Sequence, residues 1–476
     1  MCNASGEKQV AYLYKRYEEM KRERRLFDFD DMLLGCYEML TENPSLLLRY
    51  QERFRYFLID EFQDINQVQY DIINMMCAHT RNLCVVGDDD QSIYSFRGSD
   101  PSFILEFDRY YPEAQVVTLS ENYRSSHSIV SLANNLISCN RSRRAKQMNA
   151  QFTADELPLF FFPYDEEEEA TMVVEDIKER IQCGAQPSDF AVLYRTHSAS
   201  RAIFERLVQS QLPFSLAQDG ESFYERRFVR YLLAYLRLSL DPNDEEAMSD
   251  LLVSLFLKQT LLKELKAISI LEDCSLVKAL VKLSTVQPFQ RKKLKTIAPL
   301  FKQLSKLKPI EAIGMIETEL GFSEFIKKRG NEGNMMERGA DDVRDLKVVA
   351  KKFKTVHAFL AHVDEMIKAA KTIQQQNEAA NAVQLSTIHR AKGLEYKYVY
   401  VLGAVEGSIP HDYALDANRN GDPLPLEEER RLLYVAITRA KHAVFLSVPS
   451  RRRMKSAQPS RFLKGFINKA AAGAQV

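Results

Sequence analysis

The sequence has no tryptophan, so any aromatic platform it offers a ligand must be phenylalanine or tyrosine. It is also poor in cysteine. The seven present (Cys2, Cys36, Cys77, Cys84, Cys139, Cys183 and Cys274) form no CxxC pair, which argues against a zinc or iron–sulfur site. Scattered through apolar runs, they suit a reducing compartment rather than a disulfide framework. No run approaches the ~20 consecutive apolar residues that span a bilayer. The first residues, MCNASGEKQVAYLYKRYEEM, lack the apolar core of a signal peptide. The reading is a cytoplasmic protein with no membrane partner. Neither sign of charge is in excess: 65 basic and 65 acidic residues balance to zero. Any nucleic-acid site must therefore be a local feature.

At 476 residues the chain exceeds what one hydrophobic core supports, so two or more domains are expected. Short apolar runs ending in acidic or turn residues predict buried parallel strands at 55–60 (RYFLID) and 83–88 (LCVVGD), with a helix over 67–78 between them. Further strands are predicted at 116–119 (VVTL), 190–194, 383–387, 398–402 and 443–448, most of them separated by helical stretches. This alternation marks an α/β sheet. Residues 12–25 and 27–40 read as helices. From about 214 to 378 the strand signal disappears and a helical block interrupts the α/β pattern, as an inserted domain would. Within it, 287–308 holds Arg291, Lys292, Lys293, Lys295, Lys302, Lys306 and Lys308 with no acidic residue. The acidic run 165–169 reads as a solvated turn, not a metal site. The segment after 450 reads as a mobile basic tail.

Five blocks carry chemistry. LIDEFQD (58–64) delivers Asp60 and Glu61 at the end of an apolar strand, where an Asp suits a hard cation such as Mg²⁺ and a Glu can accept a proton from water. The solvated start of a helix gives the same pattern. VVGDDDQSIYSFRGSD (85–100) begins as a strand and ends in a polar loop, with Gln91 placed to sense phosphate. Tyr94, Phe96 and Arg97 follow, a combination suited to base stacking and phosphate contact. LSENYRSS (119–126) offers Tyr123 for stacking and Arg124 for a phosphate. STIHRAKGLEYKYVYVLG (386–403) ends a strand in a loop carrying His389, Lys392, Gly393 and Glu395. EEERRLLYVAITRAK (427–441) is a helix with an acidic start and Arg439 near its end.

DEFQD, GDDDQSIYSFRG, NYRS, HRAKGLE and YVAITRA, in this order, resemble the superfamily-1 DNA helicases of the UvrD/PcrA/Rep type from about Phe27 to Pro449, the inserted block excepted. The resemblance implies two RecA-like P-loop NTPase motor domains, the first incomplete, with a helical insertion in the second. It implies a tail of the first motor's inserted helical domain at 1–50 and the C-terminal part of that motor at 51–112. The second motor would occupy 113–213 and 379–450, split by the insertion at 214–378 and followed by a basic tail at 451–476.

It further implies an ATP-dependent 3′→5′ DNA helicase acting in repair or recombination, with ATP and Mg²⁺ as cofactors and single-stranded and junction DNA as partners. Asp60 would be magnesium ligand and Glu61 catalytic base, with Gln63 alongside. Gln91 would contact the γ-phosphate, while Arg124 and Arg439 would be arginine fingers from the second motor domain. Tyr123 would stack near the adenine. Gly393 and Glu395 would lie on the nucleotide-binding loop, Glu395 toward the ribose and phosphates. Tyr94, Phe96 and His389 would touch single-stranded DNA, Phe96 standing where the family commonly has Trp.

Two departures qualify this. The family's GxxxxGK[ST] loop, whose backbone amides and Lys hold the phosphates, occurs nowhere in the sequence. The chain thus begins partway through the family pattern and is expected to be inactive alone, awaiting a missing N-terminal segment or a partner protein. The alternative is a non-catalytic single-stranded DNA-binding or regulatory remnant. The inserted block also lacks the glycine-containing duplex-contact motif; its basic stretch either replaces that contact or is a solvated face.

Overall fold

The computed structural model describes residues 4–154, 156–216, 222–330, 335–375 and 381–467. They divide into two compact units. One comprises Met1–Ser120 with the short return Asn140–Gln147; the other comprises Glu121–Cys139 and Met148–Val476.

The first unit opens with helices Ala4–Arg24, Phe29–Glu42 and Pro44–Arg53. Asp28 caps the second by accepting from the Asp31 amide, while the Asp31 carboxylate accepts from the Asp28 amide, so two otherwise orphaned donors are satisfied. Strands β1 (Phe57–Ile59) and β2 (Leu83–Val85) pair in parallel, Leu58 opposite Cys84, with helix Gln67–Cys77 between them in sequence. Their core is small: Phe62, Ile65, Tyr70 and Phe103, the last two rings stacked at 4.2 Å. Two parallel strands leave much of their surface uncovered, and Leu58 is 78% exposed.

The expected strand at 116–119 does not form. A strand exists only where a neighbour takes up its amides and carbonyls; these residues join no ladder, and Val117 and Leu119 lie exposed.

The second unit is built on a six-stranded, wholly parallel sheet. Its strands are β3 (Leu159–Phe161), β4 (Phe190–Tyr194), β5 (Phe214–Leu216), β6 (Val383–Thr387), β7 (Tyr396–Val401) and β8 (Ala440–Ser447), in the order β3-β8-β7-β4-β6-β5. Central β4 is buried at every position, which is why FAVLY reads as a continuous apolar run rather than an alternation. Register sets Val192 between Leu385 and Tyr400. Helices Glu166–Gln182 and Arg201–Ser210 cover the sheet through Val173, Ile177, Ile203 and Leu207.

The chain between 222 and 375 is helical in the described residues and has its own core around Arg227–Leu240. There Tyr235 stacks on Phe301 and meets Phe322 edge-on. The sheet, however, continues past the point where the strand pattern fades: Phe214–Leu216 is its edge strand, paired with β6.

Two smaller expectations are corrected. Residues 166–169 are no solvated turn but the first turn of a helix, capped by the Asp165 carboxylate, and Glu169 is buried. Residues 451–467 are no loose tail: Arg451–Arg452 pairs with Lys455–Ser456, and Phe462 and Leu463 are buried. The rest of that segment, 468–476, and the stretch 376–380 beside the expected end of the insertion lie outside the described residues.

Candidate functional site

In the first unit the acidic pair sits where β1 ends. The backbone turns sharply there: Glu61 adopts a left-handed conformation (φ 51°, ψ 40°), a sparsely populated region for a residue with a Cβ. The turn exposes Asp60 and Glu61 and sends the next two side chains, Phe62 and Gln63, into the interior. The fully buried Gln63 links the loops that follow β1 and β2. Its amide nitrogen donates to Glu61 Oε2 (2.5 Å), and its carbonyl oxygen accepts from the Asp88 amide (3.0 Å). Asp88 in turn accepts from the Gln91 side-chain amide at 2.8 Å. Glu61, Gln63, Asp88 and Gln91 therefore form one hydrogen-bonded series, and Gly87 leaves room for it. A Cβ at Gly87 would collide with Gln63 Oε1 and stand 2.7 Å from Ile104 Cδ1. Burial works to raise the Asp88 carboxyl, but the Lys146 ammonium 2.9 Å away outweighs it and holds the group below the usual range.

The loop after Gln91 carries the expected aromatic pair. Tyr94 and Phe96 lie 6.1 Å apart, and the Arg97 guanidinium sits over both rings, 5.3 and 5.6 Å from their centroids. Phe96 is 67% exposed, and Gly98 closes the turn with φ 82°. An exposed ring beside a guanidinium can stack a base and meet its phosphate.

In the second unit, Tyr123 is exposed and Arg124 half-exposed on a segment pinned to the start of β8. The Ser125 hydroxyl donates to the Ala440 carbonyl (2.6 Å) and the Ser126 amide to the Lys441 carbonyl (2.9 Å). Arg124 Nε donates to Glu395 Oε2 at 2.8 Å, and Lys441 Nζ lies 2.5 Å from Glu395 Oε1. Glu395 is held below the usual carboxylate range by Lys441 and then Arg124. Gly393, at φ 84°, turns the chain toward it. Arg439 is buried: its guanidinium donates to the carbonyls of Val435 (3.1 Å) and Leu394 (3.3 Å) and to the Thr438 hydroxyl. His389 follows the carboxyl end of β6, whereas Glu395 precedes the amino end of β7. In a parallel sheet those ends lie on opposite edges, so the HRAKGLE block serves two places.

The fold thus gathers Glu61, Gln63 and Gln91 in one unit, with Asp60 adjacent, and Arg124, Glu395, Gly393 and Arg439 in the other. Motif reading overlooked Asp88, which anchors Gln91, and Lys441, which shares Glu395. Both stand inside or beside quoted motifs, so adjacency was the available signal.

Residues 2–112 match the model of the UvrD/REP helicase N-terminal domain, and residues 117–451 match that of the UvrD-like helicase C-terminal domain. Over 464 residues (98% of the chain) the sequence is 57% identical to YjcD of Bacillus subtilis strain 168, a protein named provisionally as an ATP-dependent DNA helicase. It is 30% identical to the ATP-dependent DNA helicase PcrA of Staphylococcus epidermidis over 499 aligned positions, 97% of the chain, and to that of Staphylococcus aureus Mu50 over 476, 96% of the chain. The chain spans 61% of the length of the first of these relatives, 65% of the second and 64% of the third.

Proposed function

Because the chain belongs to the UvrD-like helicase family, we propose that it is the larger part of an ATP-driven motor that moves 3′→5′ along single-stranded DNA and unwinds junctions in cytoplasmic DNA repair or recombination. The observation that carries this reading is the hydrogen-bonded series Glu61–Gln63–Asp88–Gln91, which joins a candidate base to a candidate phosphate sensor. Asp60, exposed at the strand end, is a suitable ligand for Mg²⁺, which takes one or two protein carboxylates and completes its shell with phosphate oxygens and water. Glu61 accepts a proton from the attacking water, Gln91 meets the terminal phosphate, and Arg124 neutralises charge on the transferring group, joined by Arg439 once its guanidinium leaves the Val435 and Leu394 carbonyls. Tyr123 and Glu395 contact base and ribose, with Gly393 shaping their loop. Tyr94, Phe96 and His389 meet the DNA.

The domain assignment follows the family: 1–50 and 51–112 as parts of the first motor, and 113–213 with 379–450 as the second, although 113–120 and 140–147 pack with the first unit. The insertion starts after the edge strand Phe214–Leu216 and runs to about 378. Its exposed lysines at 292, 295, 302, 306 and 308 are available to duplex phosphates.

Side contacts alone do not hold a triphosphate. The amide cradle that neutralises its charge in P-loop enzymes is not among these 476 residues. A polypeptide of residues 1–476 is therefore expected to show no DNA-stimulated ATPase and no unwinding, and to act as a weak single-stranded DNA binder. Joined to a segment carrying GxxxxGK[ST], by fusion or as a partner, it gains both activities, and Glu61→Gln then abolishes hydrolysis while sparing nucleotide binding. Robust ATPase from residues 1–476 alone, lost in Glu61→Gln, would overturn this assignment of roles.

A further inference from the structure

Asp88, Asp89 and Asp90 follow one another around a single turn, and two of them are almost fully buried, Asp89 at 4% exposure and Asp90 at 1%. Three adjacent carboxylates, two of them withdrawn from water, repel one another and are tolerated only if paired. The pairing comes from elsewhere in the chain: the return segment Asn140–Gln147, which is part of the first unit although its flanking residues are not. Lys146 Nζ reaches all three carboxylates, lying 2.9 Å from Asp88 Oδ1 and 3.2 Å from Asp90 Oδ2, and bonded to Asp89 Oδ1. Arg143 grips Asp90 with both arms of its guanidinium, Nε to Oδ1 at 2.9 Å and Nη2 to Oδ2 at 2.6 Å. The Arg144 amide donates to Asp89 Oδ2, and its side chain bonds the Leu105 carbonyl and Asp108. A bidentate Arg–carboxylate contact fixes orientation as well as distance. The clamp therefore fixes the turn from which Gln91 projects, and Asp88, one of its three targets, is the residue that holds the Gln91 carboxamide.

We propose that Arg143 and Lys146 are positioning residues: by clamping Asp88–Asp90 they pre-set Gln91 and the Tyr94–Arg97 loop for their ligands. This rests on the reading of Tyr94 and Phe96 as a single-stranded DNA contact, and the test separates the two claims. Ordinary electrostatics predicts that removing an acidic charge near a nucleic-acid site tightens binding. Positioning predicts the reverse, because a released loop must be re-ordered each time DNA binds, at the cost of about tenfold in affinity for each residue that has to be fixed.

The experiment uses the whole chain, Asp90→Asn and Lys146→Met as variants, Lys146→Arg as the conservative replacement, and a fluorescein-labelled oligo-dT as probe. Hydrogen exchange is followed in peptides covering 86–98 and, for comparison, 57–85. Expected are a roughly tenfold loss of oligo-dT affinity in Asp90→Asn and Lys146→Met, faster exchange confined to 86–98, and near-parental behaviour in Lys146→Arg. Asp90→Asn is nearly isosteric, so it reports even where Lys146→Met folds poorly. Tighter or unchanged DNA binding in Asp90→Asn, with exchange in 86–98 unaltered, overturns the proposal. So does a loss of protection spread evenly over 57–98, which marks the clamp as structural alone. If Phe96→Ala leaves oligo-dT binding intact, the DNA reading of the loop has failed, and the exchange pattern alone then decides the clamp.

Discussion

Replacing Glu169 by glutamine should stabilise the second unit at pH 8 and do so by less than half as much at pH 5.5. Glu169 lies on the first turn of helix Glu166–Gln182, beside Glu166, Arg201, Asp345 and Arg452, which line the same small cavity. Its carboxylate accepts from the Gly403 amide at 2.8 Å. Burial raises its pKa from the ordinary 4.5 to about 7, and the Ser447 hydroxyl, the Gly403 amide and the Arg452 guanidinium offset burial only in part. A carboxyl with a raised folded pKa holds its proton more tightly folded than unfolded. Its contribution to stability is therefore fully present below about 4.5 and is lost as pH rises through about 7. At about 1.4 kcal/mol per pH unit, that interval corresponds to about 3 kcal/mol at pH 8. Glutamine carries no charge and keeps the oxygen that accepts from Gly403, so it escapes the penalty.

With a urea slope of at least ~3 kcal/mol per M for a unit this large, the variant's midpoint should rise by up to about 1 M at pH 8. At pH 5.5, one unit above the unfolded value, the gain should be about 1.4 kcal/mol, less than half as large. Far-UV circular dichroism is the suitable probe, since the chain has no tryptophan. His197 and His411, both held below the usual histidine value chiefly by burial, titrate with the opposite sign. The readout is accordingly the difference between variant and parent at each pH, not the parent profile. An equal shift at both pH values, or destabilisation at pH 8, would show that Glu169 is not carried as a neutral acid and that the reasoning is wrong.

Gly87→Ala forces a Cβ against the Gln63 carboxamide and Ile104; overpacking of this kind costs about 1–3 kcal/mol, so peptides covering 57–98 should exchange faster while those of the six-stranded sheet do not. Phe96→Ala should weaken single-stranded DNA binding about tenfold, the stacking of one base, and parent binding should fall steeply between 50 and 200 mM salt in a fluorescence titration; insensitivity to both removes the DNA reading of this loop. Limited proteolysis should cut within 1–112 before it cuts 159–216 or 383–447, because a two-stranded sheet over four core residues opens more cheaply than a six-stranded one. Equal resistance along the chain would refute that ranking.

Much of the α/β framework was legible because local pattern encodes burial. FAVLY and AVFLSV are nearly continuous apolar runs, and a run that short and that continuous is what a strand covered on both faces requires. The same holds for the site residues at strand ends: Asp60 and Glu61 follow an apolar run and lie at the end of β1. The failures were equally physical. VVTL at 116–119 has strand composition and no strand to pair with. Residues 214–216 carry a weak pattern and become a strand because β6 offers them an edge. The acidic run at 165–169 looked solvated because sequence cannot reveal that a helix cap absorbs Asp165 and that the interior takes Glu169.

The sequence by itself determined the motif order, the helical block that interrupts the second sheet, and the absence of a phosphate-holding loop within these residues, since each is a property of contiguous residues. Tertiary structure decided what depends on partners far apart in the chain. Arg124 meets Glu395 across 271 residues, and Lys146 meets Asp89 across 57. It also decided that the return segment 140–147 belongs with the first unit and that Arg439 turns inward to backbone carbonyls. A charge on a chain has no partner until folding supplies one, and burial makes that partner obligatory.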